Sequence, residues 1–289
     1  MENQSRLRVA IITGASSGIG KEAAKLLAGQ GWQVIGLGRD RDRCEQAKAE
    51  IQAQAQDADQ VTMICADLSL MSDTERACGE ILALTERVDV LLNNAGGVAR
   101  ERRITPEGNE GTFAGNHLGH FLLTRRLLPL LRAAAATAPP GATRIVNVSS
   151  AAHLICEGLD WDDLQMIDNF QSAAAYCRVK FANVLFTREL ARRLGDEGIV
   201  AHAMHPGIVD SNFINHADAM MQGSLRSKSD QWITPRAAAE ALVWLATAEQ
   251  PGQMNGEYFH ERATAPVNPA ALDAGAARRL WQESEKLLA

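Results

Sequence analysis

"RVAIITGASSGIGKEAAKLLAGQGWQVIGLG" (residues 8–38) decides the fold. It opens on a short apolar run, 8–13, of the length of a strand buried on both faces. A glycine-rich turn follows, then a helical pattern over 20–31, then a second apolar run at 33–38. Strand, helix and strand at this spacing predict a right-handed crossover between parallel strands. The alternation continues with runs at 61–66, 88–93, 144–149 and 199–204, separated by helical segments such as 40–55. The expected fold class is α/β, a single doubly wound parallel sheet with helices on both faces. Ligands are expected beyond the carboxyl ends of its strands.

Within the turn, Gly14, Gly18 and Gly20 are spaced G-x-x-x-G-x-G. Glycine lets a backbone approach a phosphate closely, and the helix start offers free N–H groups and a positive dipole end. The hydroxyls of Ser16 and Ser17 add donors, so the turn reads as a nucleotide cradle. The second run ends "GLGRDRDR" (36–43). A dinucleotide fold that takes NAD usually places a carboxylate here, on the ribose 2′-hydroxyl. Gly38 stands at that position and Arg39 follows, and a guanidinium suits a 2′-phosphate. NADP(H) is therefore expected in preference to NAD(H). The competing reading makes Arg39, Arg41 and Arg43 a solvated helix start, with Asp40 or Asp42 as its N-cap.

The chain has 289 residues, 46% hydrophobic and 22% charged, with a formal net charge of −6. That balance argues against nucleic-acid and anionic-membrane partners. Cys44, Cys65, Cys78, Cys156 and Cys177 form no CxxC pair and are expected to be reduced thiols. The histidines form no HExxH, so no metal site is expected. No run approaches the ~20 apolar residues of a membrane span. A soluble, cytoplasmic protein without a membrane anchor is expected. No linker-like boundary divides residues 1–289, which read as one domain. The irregular, methionine-bearing stretch at about 210–234 is expected to form a substrate lid, and the last nineteen residues an amphipathic closing helix.

"AYCRVKFANVLF" (175–186) carries Tyr176 and Lys180 on one side of a predicted helix, one turn apart. A phenol has an ordinary pKa of ~10, and a neighbouring cation favours its ionised form. The pair reads as an acid/base couple whose phenol is lowered by the ammonium.

The chain resembles the short-chain dehydrogenase/reductase family. The resemblance lies in "TGASSGIG" (13–20), "ADL" (66–68), "NNAG" (93–96), "NHLG" (116–119), "IVNVSS" (145–150), "YCRVK" (176–180) and "HPG" (205–207). "EGNEGTFAGNHLGHFLLT" (107–124) and "RIVNVSSAAH" (144–153) look like its retinol-dehydrogenase-like branch. The resemblance implies a Rossmann-type sheet of about seven strands and a nicotinamide cofactor. It implies that Asn116, Ser150, Tyr176 and Lys180 are catalytic, with Ser150 preferred to Ser149. Lys180 would also hold the nicotinamide ribose, and Asn116 a proton-relaying water. It counts Ile19 with the glycine turn as a cofactor contact, places Asp67 and Leu68 at the adenine, and lines the cofactor with Asn94, Ala95 and Gly96. Pro206, Gly207, Val209 and Ser211 would stand near the nicotinamide.

The expected substrate is a small-molecule carbonyl or alcohol, foremost a hydrophobic ketone or aldehyde. Leu154, Trp161, Met204, Phe213, Met220, Met221 and Trp232 are candidate pocket walls. The apolar faces of 120–131 and 181–190 suggest a homodimer or homotetramer. The alternative function is a non-catalytic NADP-binding or redox-sensing protein on the same fold. Epimerases and dehydratases of related folds are disfavoured by the glycine spacing and the chain length.

Overall fold

The computed structural model describes residues 7–210 and 217–289. The strands are β1 (Val9–Thr13), β2 (Gln33–Gly38), β3 (Val61–Cys65), β4 (Val90–Asn93), β5 (Thr143–Val148), β6 (Ile199–His205), β7 (Ile208–Val209), β8 (Trp232–Ile233), β9 (Tyr258–His260) and β10 (Ala263–Thr264). The helices are α1 (Gly18–Gly29), α2 (Arg41–Gln52), α3 (Met71–Leu84), α4 (Gly111–Phe113), α5 (Gly119–Ala135), α6 (Ser172–Leu194), α7 (Ala219–Arg226), α8 (Pro235–Thr247), α9 (Glu249–Gly252) and α10 (Ala274–Leu287). Eight strands join in the order β10-β9-β6-β5-β4-β1-β2-β3. Seven run parallel, and the eighth, β10, is an antiparallel edge of two residues. All six strands expected from the apolar runs are present. β9, only three residues long, carried too little pattern to be read in advance.

The strands are apolar on both sides because both sides are covered. In β1, Val9 and Ile11 enter one core layer with Phe121, Leu127 and Phe186, while Ala10 and Ile12 enter the other with Ala23, Leu27 and Leu242. Helices α1 and α8 thus lie on one face, and α5 and α6 on the other. The strand order reverses between β1 and β4, so a crevice opens beyond their carboxyl ends. The glycine turn leaves β1 there, and "NNAG" leaves β4.

One expectation needs correction. Met204 is fully buried in the sheet core, so it is not a pocket wall. Phe121 and Phe186, on the faces suggested for an oligomer, pack within the chain against Trp281 of α10, with ring centroids 4.8 and 6.1 Å away. The segment after Val209 is drawn in at its base, because β7 and β8 pair in parallel as Ile208↔Trp232 and Val209↔Ile233. Ser211 and Phe213 lie outside the described residues.

Four histidines packed on this sheet are pushed far down, and burial sets their charge. His117 is pushed down to about 3, and His120, His202 and His205 to about 4, because a charged imidazole there would lose its water. In the unfolded chain each binds a proton near 6.5. Between pH 6.5 and 4 the unfolded state therefore binds more protons, and stability falls as pH falls. Each histidine contributes about 1.4 kcal/mol per pH unit across its window, so the four together give a slope of roughly 5.6. Urea unfolding at pH 7, 6 and 5 should show this loss, and His202→Gln should remove about one quarter of the slope. A flat profile would contradict the burial argument.

Candidate active site

The glycine turn is interlocked with the end of β4. Gly14 has φ +71, and a Cβ on it would lie 2.9 Å from Asn94 Nδ2. A Cβ on Gly20 would enter the Gly14 carbonyl and lie 2.6 Å from the same amide. The Asn94 side chain donates to the Thr13 carbonyl at 2.8 Å, so the close approach is held by a bond. Gly18, at φ +54, faces open space. Ser17 is exposed at the N-cap of α1, and its hydroxyl makes no cap bond. Open backbone, an unspent hydroxyl and a helix N-terminus suit a phosphate-bearing ligand. Ser16 and Ile19 lie in the same turn.

The ends of β2 and β3 form the neighbouring wall. Asp40 is the N-cap of α2, accepting from the Arg43 N–H at 2.9 Å, so its carboxylate is spent on the helix. This settles the N-cap question in favour of Asp40 over Asp42. Arg39 is exposed and enters no ion pair among the described residues. A Cβ on Gly38 would meet Cys44 Sγ at 2.6 Å and Ser16 Oγ at 2.8 Å, so a carboxylate has no room there. Asp67 accepts from the Ser69 N–H and hydroxyl at 2.9 and 2.7 Å, closing a turn ahead of α3. The helix N-cap is Leu70, not Asp67. Leu68 follows, buried.

Asn116, Ser150, Tyr176 and Lys180, the four residues expected to be catalytic, come together beyond β4 and β5. The Ser150 and Tyr176 side chains are hydrogen-bonded. Lys180 Nζ lies 5.6 Å from the Tyr176 ring centre and donates to the Val148 carbonyl at 3.0 Å. A Cβ on Gly96 would meet Asn116 Oδ1 at 2.6 Å and Lys180 Nζ at 3.2 Å, so Gly96 is the floor of the cluster. The Ser149 hydroxyl is buried and donates to the Lys180 carbonyl at 2.7 Å, which leaves Ser150 as the serine at Tyr176. Lys180 is 3% exposed, and burial pushes it down to about 8. The Tyr176 phenol is pushed up to about 12, chiefly by burial, against the pull of Ser150. Burial thus moves the phenol the other way from the lowering expected of its charged neighbours.

Asn116 is 3% exposed and stands in a π-helical turn, Ala114–Leu118. Its side chain accepts from the Gly97 N–H and donates to the Gly97 carbonyl, both at 3.0 Å. Its amide therefore clamps the "NNAG" loop. The Asn116 main-chain carbonyl meets His120 Nδ1 at 3.1 Å. A carbonyl only accepts, so Nδ1 carries the proton and Nε2 accepts from the Thr13 hydroxyl at 2.9 Å. Thr13 Oγ1 in turn accepts from the N–H groups of Asn94 and Ala95, both at 2.8 Å. This buried relay from β1 to the asparagine was not read from the sequence. Its available signal was the i, i+4 spacing in "NHLGH". Pro206 and Gly207 follow β6, where the Gly207 N–H donates to His205 Nδ1 at 3.1 Å, and Val209 lies in β7.

Among the described residues no helix is long and apolar enough to cross a membrane, and no His, Cys, Asp or Glu cluster suits a metal ion. The family model described as short chain dehydrogenase matches residues 8–222. Human retinol dehydrogenase 13 is 37% identical over 97% of this chain and 84% of its own length. Human retinol dehydrogenase 12 is 38% identical over 97% and 86%. Among solved structures, an uncharacterized protein of Mycobacterium paratuberculosis is 32% identical with TM-score 0.73, over 97% of this chain and 92% of that one. The Pseudomonas aeruginosa RhlG complex with NADP is 26% identical with TM-score 0.70, over 93% and 96%. A Brucella melitensis 3-ketoacyl-(acyl-carrier-protein) reductase complexed with NADH is 25% identical with TM-score 0.69, over 93% and 98%. Neighbours with NADP and with NADH both occur, so the likeness supports a nicotinamide cofactor without choosing between them. The chain is an oxidoreductase of the short chain dehydrogenase family, in its retinol-dehydrogenase-like branch.

Proposed function

We propose that the chain is an NADP(H)-dependent carbonyl reductase, reversible as an alcohol dehydrogenase, acting on a hydrophobic ketone or aldehyde. The observation that carries this is the Ser150–Tyr176 hydrogen bond, set beside a buried ammonium and a clamped asparagine at the crevice. A nicotinamide, when bound, supplies or takes up the hydride. Tyr176 gives its phenolic proton to the carbonyl oxygen, and Ser150 donates a hydrogen bond to that oxygen. Lys180 lowers the cost of the charge left on Tyr176 and would hold the ribose, and Gly96 leaves the space in which this cation stands. Asn116, fixed through Gly97 and His120, holds the loop and orders the water that returns a proton toward Lys180.

The nucleotide preference rests on the β2 end: no space for a carboxylate at Gly38, Asp40 spent as a cap, and Arg39 exposed. Arg39→Asp should weaken NADPH by about tenfold to a hundredfold, the value of a charge-assisted bond, and NADH much less. Equal losses in a fluorescence titration would make Arg39 structural. Residues 14–20, 67–68, 94–96 and 206–211 complete the cofactor's surroundings in this reading.

For the substrate, Leu154 and Ile155 are 46% and 77% exposed on the turn that follows Ser150. This apolar approach suits a hydrophobic molecule, as do relatives named for retinol. Residues 210–234 would cover it as a lid. The test is oxidation of NADPH across a panel from small aldehydes to bulky polycyclic ketones, with the matching alcohols and NADP⁺. Turnover on the bulky apolar members is expected. Tight NADPH binding without turnover on any member would favour the non-catalytic reading.

A further inference from the structure

The end of β2 carries two sulfur atoms that hydride transfer does not use. Cys44 is buried in the first turn of α2, and Cys65, the last residue of β3, is exposed. Cys65 is the register partner of Gly38. The Cys44 sulfur lies directly over Gly38, 2.6 Å from where a Cβ would stand. The two side chains therefore converge on one glycine. The Cys65 thiol donates to the Arg39 carbonyl at 3.3 Å. Twenty residues separate the pair in sequence, and no CxxC spacing marks it.

We propose that Cys44 and Cys65 are a modification site, a thiol pair that a hydroperoxide converts to a disulfide, and that this bond weakens nucleotide binding at Arg39. The second half rests on the reading of Arg39 as a nucleotide contact. The exposed Cys65 meets the oxidant first. Its thiolate attacks the peroxide, an S–O bond forms, the O–O bond breaks, and water leaves after protonation. The Cys44 sulfur then attacks the sulfenic sulfur. An S–S bond forms, the S–O bond breaks, and a second water carries off the oxygen. Two thiols and one hydrogen peroxide give one disulfide and two waters, the two electrons passing from sulfur to oxygen. No strand has to be rebuilt, because both side chains already converge on Gly38. Burial holds the Cys44 thiol up to about 11, so the second step should quicken as pH rises.

The coupling to Arg39 follows from the bonds that change. A disulfide sulfur has no proton, so the S–H···O bond to the Arg39 carbonyl is lost. The S–S bond, at about 2.05 Å, is shorter than any thiol–thiol contact and draws the first turn of α2 toward β3. Arg39 and Ser16 lie against that turn.

The test is treatment of the full chain with hydrogen peroxide, alkylation of the remaining thiols, and mapping of cross-linked peptides without reductant. The expected product joins the Cys44 and Cys65 peptides with loss of two hydrogens and reverts with dithiothreitol. NADPH should bind the oxidised chain about tenfold more weakly. Cys65→Ser should abolish both effects, and Cys44→Ala gives an independent check. A link between other cysteines, such as Cys156 and Cys177, or no link at all, would overturn the site. A Cys44–Cys65 link with unchanged NADPH affinity would overturn the coupling. A reduced chain that binds no NADPH, yet forms the link, would overturn the reading of Arg39 and the coupling, while the disulfide would stand.

Discussion

Tyr176→Phe is expected to lower turnover by about two to four orders of magnitude, the range of a positioned acid or base. The change keeps the ring that faces Lys180 and removes only the proton donor. Nucleotide affinity should stay within about threefold, because the ring and Lys180 remain, so the loss should fall in kcat. Folding stability should change by about 1 kcal/mol, the value of the hydrogen bond to Ser150. Steady-state kinetics with saturating nucleotide would check this. A variant within tenfold of the parent rate would remove Tyr176 from the chemistry. A variant that lost nucleotide binding equally would make it a binding residue.

Gly20→Ala should be nearly as damaging, for a different reason. The added Cβ has in its way the Gly14 carbonyl, which is main chain, and the Asn94 amide, which is tied to the Thr13 carbonyl. Overpacking of this kind costs about 1–3 kcal/mol or more, and it displaces the turn itself. Gly18→Ala makes the contrast. Nothing lies within 4 Å of its Cβ, so that substitution pays mainly for a left-handed backbone, about 1–2 kcal/mol. Its methyl points into open space, where a phosphate would come. Gly20→Ala should therefore lower the melting temperature clearly, and Gly18→Ala should lose nucleotide affinity with the smaller stability change. Thermal unfolding and nucleotide titration of the two variants separate these outcomes. The reverse order would mean that the crowding at Gly20 relaxes freely.

The sheet was legible because a strand buried on both faces must be apolar throughout, as β1 and β5 are. Tyr176 and Lys180 were legible because helical spacing alone brings them together. The limits have physical causes. Asp40 and Asp42 looked equivalent, since only backbone geometry decides which carboxylate caps α2. The two asparagines of "NNAG" look alike, yet Asn93 bonds Thr124 and Asn147 inside the sheet while Asn94 ties the glycine turn. The His120–Thr13 relay joins residues far apart in sequence, and no local pattern encodes such a bond. Met204 looked like a pocket wall because apolar side chains serve core and ligand equally well.

The two-residue ladder between β7 and β8 has a consequence of its own. Val209 and Ile233 are register partners, and the Asp210 N–H donates to the Ile233 carbonyl at 3.0 Å. The chain between them leaves and returns through one neck. Loop-closure entropy grows slowly, by about 0.6 kcal/mol for each doubling of loop length. A change of length beyond this neck therefore costs little closure entropy, and it leaves β6 in its place between β5 and β9. The far side is tied down at one point, because Ala217 is fully buried and its carbonyl accepts from Arg100 Nε at 3.0 Å. An exchange of loops that keeps this anchor is the one that the neck allows.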